Sequence, residues 1–347
     1  MSHMLNEIRQ QPEVVRHLID TEFHRVEALA AEIKRRNIAY AYFAARGTSD
    51  NAATYGKYVL EIQQGIPVAL AAPSVFTLYD TVPHLGPNAL VLGVSQSGAG
   101  PDVIEVVRRA REAGALTACI TNEPDSVLAQ VAEYPLFINA GPELSVAATK
   151  TYTGSLALFA MLSIALSPDH PERLMHLRRA ADSMEATLGL DDALHQLVEE
   201  YKGMQDCVVV GRGYNQATAL ETALKLTETC YVGAKSYSAA DFRHGPIALV
   251  NSGFPCFLFA PDGKAFAHMA ELAEKLRAEH PALIAFAHDP ALLCNCETAV
   301  RVPSAIPEWV SPLVYIVAGQ LFAYWLSIGK GLDPDTPRGL TKVTKTM

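Results

Sequence analysis

Ala89-Leu90-Val91-Leu92-Gly93-Val94-Ser95-Gln96-Ser97-Gly98-Ala99-Gly100-Pro101-Asp102 passes from an apolar run, through a polar turn, to the start of a helix. The run over 89–94 has the pattern of a strand buried on both faces. It breaks into small hydroxyl, amide and glycine residues. Pro101 suits the first turn of a helix, and Val103, Ile104, Val106 and Val107 supply that helix's apolar face. The mouth of a helix offers unpaired N–H groups and the positive end of the helix dipole. A hydroxyl-rich turn in that place suits an anion, and phosphate is the anion expected. The same residues also fit an ordinary serine-rich helix cap, and the turn alone leaves both readings open.

The alternation extends in both directions. Residues 40–45, 68–71, 116–120 and 135–138 are further strand candidates, with helical patterns over 51–63, 102–112 and 149–167. A second set of short apolar runs follows at 207–210, 256–259, 283–287 and 299–302, with a helix over 215–229 standing where 51–63 stood. Ala45-Arg46-Gly47 and Gly211-Arg212-Gly213 each end a strand and open a helix, so an internal duplication of one α/β unit is the simplest account. The expected fold class is α/β, with two tandem domains, each a parallel sheet flanked by helices on both faces. The chain divides into an N-terminal helical arm over 1–36, a first domain over 37–170, a helical linker over 171–200, a second domain over 201–330 and a polar tail over 331–347. Pro12 is expected near a helix start within the arm.

Half of the 347 residues are hydrophobic and 19% are charged, enough apolar material for two cores and too much for disorder. The net charge of −9 argues against nucleic acid as a partner, since no basic stripe is available to neutralise phosphates. A small anionic ligand needs only one local pocket. Cys119, Cys207, Cys230, Cys256, Cys294 and Cys296 are scattered, and Cys294-Asn295-Cys296 lacks the second pair of a structural zinc site. Buried reduced thiols and no metal are expected. The charged, amphipathic N-terminus is unlike a signal peptide, so a cytoplasmic location is expected. The apolar stretches 156–166 and 310–328 are expected as core helices, with no membrane partner. The first is too short to span a bilayer, and the second carries Pro312, Gly319 and Gln320.

Three groups of residues carry chemistry. Gly47-Thr48-Ser49 and Ser95-Gln96-Ser97 are strand-to-helix turns that an open parallel sheet places at its carboxyl edge, where ligands bind. Their hydroxyls and amide suit a phosphorylated, polyhydroxylated molecule. Neither a Walker pattern nor Gly-x-Gly-x-x-Gly follows a first strand, which disfavours a nucleoside triphosphate. Glu221, Lys225 and Glu228 share one helix face, at steps of four and three residues. An exposed salt-bridged stripe is the commoner origin of such spacing, yet this helix is otherwise apolar. His244, just before Gly245-Pro246, is expected on a fixed turn in a structural or a catalytic role. The tail from Asp335 to Lys345 reads, by composition, as solvated.

Taken in order, these motifs resemble the sugar isomerase (SIS) family, in the form of the isomerase half of glutamine–fructose-6-phosphate aminotransferase. The likeness opens with Met4-Leu5-Asn6-Glu7-Ile8-Arg9-Gln10-Gln11-Pro12 and passes through Gly47-Thr48-Ser49, Ser95-Gln96-Ser97-Gly98 and Val146-Ala147-Ala148-Thr149-Lys150. It continues in Leu220-Glu221, Ala223-Leu224-Lys225-Leu226 and Glu228, then His244-Gly245-Pro246, and closes with Asp335, Pro337-Arg338, Leu340 and Lys342. The resemblance implies that Ser95, Gln96 and Ser97 hold a phosphate, and that Thr48, with Ser49 beside it, and the backbone near Val146 touch the sugar. It further implies that Glu228 moves a proton between C1 and C2, that His244 opens the ring from a neighbouring subunit of a homodimer, and that Lys342 forms a Schiff base with a keto sugar. These residue types fit that chemistry. No metal or organic cofactor is implied.

Departures from the family pattern are equally specific. Gly100 stands where the aminotransferase has a threonine, and Ala148 where it has a serine. No glutaminase domain with its nucleophilic cysteine lies in this sequence, so the reaction is expected in reverse. The expected function is an amino-sugar phosphate isomerase/deaminase converting glucosamine-6-phosphate to fructose-6-phosphate and ammonia. The alternatives are a fructosamine-6-phosphate deglycase, for which Gly100 and Ala148 leave room, and a non-catalytic sugar-phosphate sensor. Glu228, His244 and Lys342 together speak against the sensor. The tail is expected to be loosely held and to order over bound substrate.

Overall fold

The computed structural model describes residues 2–303 and 305–342. They form two compact units. One unit holds the residues up to Pro12, Leu144–Thr149 and Arg179–Arg338; the other holds Glu13–Glu143, Lys150–Arg178 and the chain from Gly339 on.

The second of these contains β1 (Tyr40–Ala44), β2 (Val68–Leu70), β3 (Ala89–Val94), β4 (Leu116–Thr121) and β5 (Tyr134–Phe137), all parallel, in the order β2-β1-β3-β4-β5. The N-terminal helices are α1 (His3–Thr21) and α2 (Phe23–Arg35), and the helices among these strands are α3 (Thr48–Gln64), α4 (Ser74–Thr77), α5 (Pro101–Glu112) and α6 (Val127–Val131). The unit is completed by α7 (Lys150–Leu166), and α8 (His170–Leu188) follows. Every residue of β3 and β4 is buried, as the continuous apolar runs require of strands covered on both faces. On one face Ala44, Val91 and Cys119 meet Val103, Val106 and Val107 of α5 and Leu128 of α6. On the other, Phe43 packs against Phe159 of α7 with ring centroids 5.2 Å apart.

The other unit repeats the plan. After α9 (Asp191–Leu197) come β6 (Asp206–Gly211), α10 (Gln216–Cys230), β7 (Gly233–Ser238), α11 (Ala239–Arg243), β8 (Pro255–Ala260) and α12 (Phe266–Arg277). The unit closes with β9 (Ala282–Ala287), α13 (Pro290–Leu293), β10 (Thr298–Arg301) and α14 (Ser311–Gly329). Its parallel sheet runs β10-β9-β8-β6-β7, the same strand order as the first sheet read from the other edge. Cys256, Leu258 and Ala260 face Phe242, Met269 and Leu272, while Phe257 faces Phe322 of α14 with ring centroids 5.0 Å apart. The α/β duplication read from the two arginine-bearing turns is the observed architecture.

The segment Glu308–Gly329, which contains α14, is long and apolar enough to cross a membrane by composition, but 83% of its apolar 18-residue window is buried inside the protein. The role of α14 is to back α10. A Cβ on Gly319 would stand 2.4 Å from Thr222 Oγ1, so only glycine lets the two helices approach this closely. Ser327 Oγ donates to the Thr229 carbonyl at 2.8 Å and Cys230 Sγ donates to the Ala323 carbonyl at 3.1 Å, both across the same contact.

Three expectations are corrected. The expected strands of the second domain omit β7: its sequence, Gly-Ala-Lys-Ser-Tyr-Ser, is half-buried to exposed at a sheet edge and needs no apolar run to pair with β6. Pro12 lies inside α1 rather than near its start. Proline cannot donate to the Ile8 carbonyl, and Gln11 Nε2 does so instead, at 3.0 Å, while also donating to Gln320 Oε1 at 2.8 Å. The thiols of Cys119, Cys207, Cys230 and Cys256 are free and buried, but Cys294 is exposed and Cys296 half-buried, both just past the end of the short α13.

Candidate active site

In a sheet of order β2-β1-β3-β4-β5 the connections leave β1 and β3 on opposite faces, and the crevice between their carboxyl ends is the expected ligand site. Gly47-Thr48-Ser49 follows β1 there, and Ser95-Gln96-Ser97 follows β3. The second turn is pinned by its main chain. Ser95 N–H donates to the Ile120 carbonyl at 3.0 Å, the Gln96 carbonyl accepts from Asn122 N–H at 3.0 Å, and the Gly98 carbonyl accepts from Leu128 N–H at 3.1 Å. Gly98 has φ +57°, and a Cβ on it would lie 2.2 Å from Ser126 Oγ. The Ser95, Gln96 and Ser97 side chains are left half-exposed.

No side chain caps α5 or α3 from its N-cap glycine, Gly100 or Gly47. Ser97 Oγ instead accepts from Ala99 N–H at 3.3 Å, so the turn is not an ordinary serine cap. Arg46 Nε bridges the two turns by an ion pair of 2.7 Å to the buried Asp102 carboxylate in the first turn of α5. Burial pushes the Asp50 carboxyl, in the first turn of α3, above the usual carboxylate range, against the opposing charge of Arg46. A Cβ on Gly100 would meet nothing closer than Asp102 Oδ1 at 3.5 Å, so the backbone leaves space for a larger residue. Arg46 was missed as a site residue in the sequence, although its counterpart Arg212 in the duplicated turn marks it.

In the other unit, α10 presents Glu221, Lys225 and Glu228. Lys225 is wholly buried, with Nζ 3.2 Å from Glu221 Oε1 and 2.6 Å from Glu228 Oε2. Burial by itself would lower the lysine pKa, but the two carboxylates outweigh it and hold the ammonium above its ordinary value. Glu221 is equally buried, while the Glu228 side chain is 22% exposed. The exposed-stripe reading of this spacing is therefore excluded. The arrangement is a partly open carboxylate whose inner oxygen is tied to a fixed cation, able to exchange a proton with a bound molecule. Lys225, kept protonated, is not a nucleophile.

His244 follows α11 and is exposed, its N–H donating to the Asp241 carbonyl at 3.0 Å, with Gly245 at φ +155° and Pro246 next. A cavity of about 210 Å³ beside it is lined by Arg212, Arg243, His244 and His268. No hydrogen bond or ion pair joins His244 to Glu228 among the described residues.

The backbone around Val146 is held from two sides. Glu7 accepts from Leu144 and Ser145 N–H groups, and Val146 N–H donates to the Asp335 carbonyl at 3.3 Å. The Asp335 carboxylate in turn accepts from Ser2 Oγ, His3 N–H and Met4 N–H at 2.7–2.8 Å, closing the mouth of α1. Arg338 N–H donates to Tyr231 Oη at 2.8 Å, and its guanidinium lies 4.3 Å from the Tyr231 ring centre. The tail through Arg338 is thus tied down, where a loose segment was expected, because polar fasteners leave no mark in composition. Lys342 Nζ sits 2.9 Å from Glu143 Oε2. Residues 343–347 of the expected tail lie outside the described residues. Thr48, Ser49, Ser95, Gln96, Ser97 and Lys342 belong to one unit, and Val146, Glu228 and His244 to the other.

Comparison with known proteins accords with the two-domain α/β fold. The SIS domain matches residues 36–165 and 205–328, one copy over each sheet. The chain is 35% identical over 348 aligned residues to a glutamine–fructose-6-phosphate aminotransferase (isomerizing) of Thermococcus kodakarensis, an alignment covering 98% of this chain. It spans only 57% of that relative's length. Among solved structures, a candidate phosphosugar isomerase from Silicibacter pomeroyi is 34% identical with a TM-score of 0.86, over 96% of this chain and 100% of that one. The C-terminal domain of glucosamine-fructose-6-phosphate aminotransferase from Francisella tularensis is 26% identical with a TM-score of 0.86, over 97% of this chain and 98% of that one. With both halves matched and the strand order repeated, the chain belongs to the SIS domain family of sugar isomerases.

Proposed function

We propose that this chain is an isomerising deaminase that converts glucosamine-6-phosphate and water to fructose-6-phosphate and ammonia. The observation that carries the reading is the buried Glu221–Lys225–Glu228 network, which holds the partly exposed Glu228 carboxylate beside a fixed ammonium. Glu228 takes the proton from C2 of the open-chain aldose and delivers it to C1, leaving an imine at C2. Hydrolysis there, by water or through Lys342, releases ammonia. His244, exposed on its Gly-Pro turn, opens the ring in the site of a neighbouring subunit of a homodimer. Ser95, Gln96 and Ser97 hold the phosphate, Thr48 and Ser49 and the Val146 backbone meet the sugar.

The test is ammonia release from glucosamine-6-phosphate by the purified chain. Fructosamine-6-phosphate carrying an N-substituent is run beside it, because half-exposed Ala148 and side-chain-free Gly100 leave room for a bulkier amine. Faster release from the substituted compound replaces the deaminase by a deglycase. Binding with no turnover of either makes the chain a sensor. In the same assay, replacing Ser95 and Ser97 together by alanine is expected to weaken sugar-phosphate binding by roughly 1.5–3 kcal/mol for each lost charge-assisted hydrogen bond. The fold is expected to survive, since the turn is pinned by main-chain bonds. Calorimetric affinity equal to wild type would remove the phosphate from this loop.

A further inference from the structure

Glu143 was not singled out by any sequence motif, yet its carboxylate is among the most constrained groups in its unit. Its side chain has no exposed surface. Oε1 accepts from Thr151 N–H at 3.1 Å and Oε2 from Thr151 Oγ1 at 2.8 Å, which seats the carboxylate at the mouth of the buried helix α7. Oε2 also accepts from Lys342 Nζ at 2.9 Å. The two partners differ in kind. The carboxylate is built into a core helix, and Lys342 rides on the tail with 26% of its side chain exposed. A buried carboxylate is stabilised by a cation within hydrogen-bond reach, and the amine implied as the nucleophile stands in that position.

We propose that Glu143 is the acid–base partner of Lys342, taking the proton from its ammonium when the amine attacks the C2 carbonyl of the keto-sugar phosphate and returning it as water leaves. This rests on the reading of Lys342 as the Schiff-base lysine. An ammonium has no lone pair, so attack requires the proton to move first, and Glu143 Oε2 already holds it by a hydrogen bond. The C–N bond forms as the carbonyl π pair moves to oxygen. That oxygen collects one proton from the nitrogen and one from Glu143 and departs as water. The sum is ammonium plus ketone giving iminium plus water, with the carboxylate regenerated and no other reactant consumed. The Thr151 bonds keep the base in place while Lys342 changes partners.

The experiment measures the rate of borohydride trapping of fructose-6-phosphate on full-length protein, with the labelled peptide identified by mass spectrometry and substrate affinity measured separately. Wild type is expected to label Lys342. Glu143→Gln, which keeps the size and can still accept from Thr151 N–H but cannot take a proton, is expected to label at least a hundredfold more slowly with affinity close to wild type. Glu143→Asp restores the acid one methylene further back and is expected to recover part of the rate. A merely structural role would change affinity or folding and would not separate Gln from Asp in this way. If Glu143→Gln does not fold, the Asp variant decides alone, by a trapping rate that is reduced at unchanged affinity. Equal trapping rates in wild type and variant overturn the role of Glu143 and leave Lys342 as the nucleophile. A wild-type protein that is labelled elsewhere, or not at all, overturns the Lys342 reading itself.

Discussion

Glu228→Gln is expected to suppress proton exchange at C1 and C2 of a bound sugar phosphate by about 10²–10⁴-fold, the usual range for losing a general base. The amide keeps the size of the side chain and can still accept from Lys225 Nζ, which lies 2.6 Å from the carboxylate. Substrate affinity should therefore stay near wild type, so the loss falls on kcat and on exchange rather than on KM. Exchange is read by deuterium incorporation from solvent, independently of ammonia release. A variant that exchanges at the wild-type rate would take the proton transfer away from Glu228. An enzyme that loses affinity as much as rate would make the residue a binding group instead.

Lys225→Met carries the largest expected effect on stability. Methionine removes the ammonium that both carboxylates face, one of them with no exposure at all. Breaking a buried ion pair from one side costs about 3–5 kcal/mol, far more than the pair contributes over an apolar replacement. Because the folded-state pKa of Lys225 is raised, its stabilisation is fully present below the unfolded value of about 10.4 and is lost only as pH rises through the folded value. Neutral pH thus reports it in full. Urea unfolding of the variant at neutral pH is expected to show the deficit as a lowered midpoint. Adding Glu221→Gln to Lys225→Met should recover much of it, since the more deeply buried of the two negative charges is then gone. A single variant within about 1 kcal/mol of wild type would mean that the network is solvated.

Both outcomes depend on a placement that spacing could not reveal. Steps of four and three residues put Glu221, Lys225 and Glu228 on one face of α10, and such a face is normally exposed. Burial of Glu221 and Lys225 is decided by what the rest of the chain packs around α10, as α14 does on its Thr222 side through Gly319, about a hundred residues away in sequence. Local pattern carries no record of which helix will cover which. The same holds for Glu143 and Lys342, whose contact spans 199 positions. It holds also for Asp335, which caps α1 from the far end of the chain.

What the sequence determined by itself is the alternation and its consequences. Continuous apolar runs such as 89–94 and 256–259, alternating with helical patterns, read as covered parallel strands, and each breaks into a turn at the carboxyl edge. The duplicated arginine turns announced the repeat, and the SIS motifs in order announced the family. β7 escaped because an edge strand needs hydrogen bonds to β6 more than an apolar run of its own. Pro12 sat unrecognised inside α1 because a neighbouring glutamine supplies the donor that proline lacks. Tertiary structure alone decided which charges are buried and paired. Burial turns an ordinary salt-bridged spacing into a fixed ammonium between two carboxylates, and it seats one glutamate against the tail lysine. Periodicity reports the face a residue occupies, whereas its chemistry is set by what the rest of the chain brings against that face.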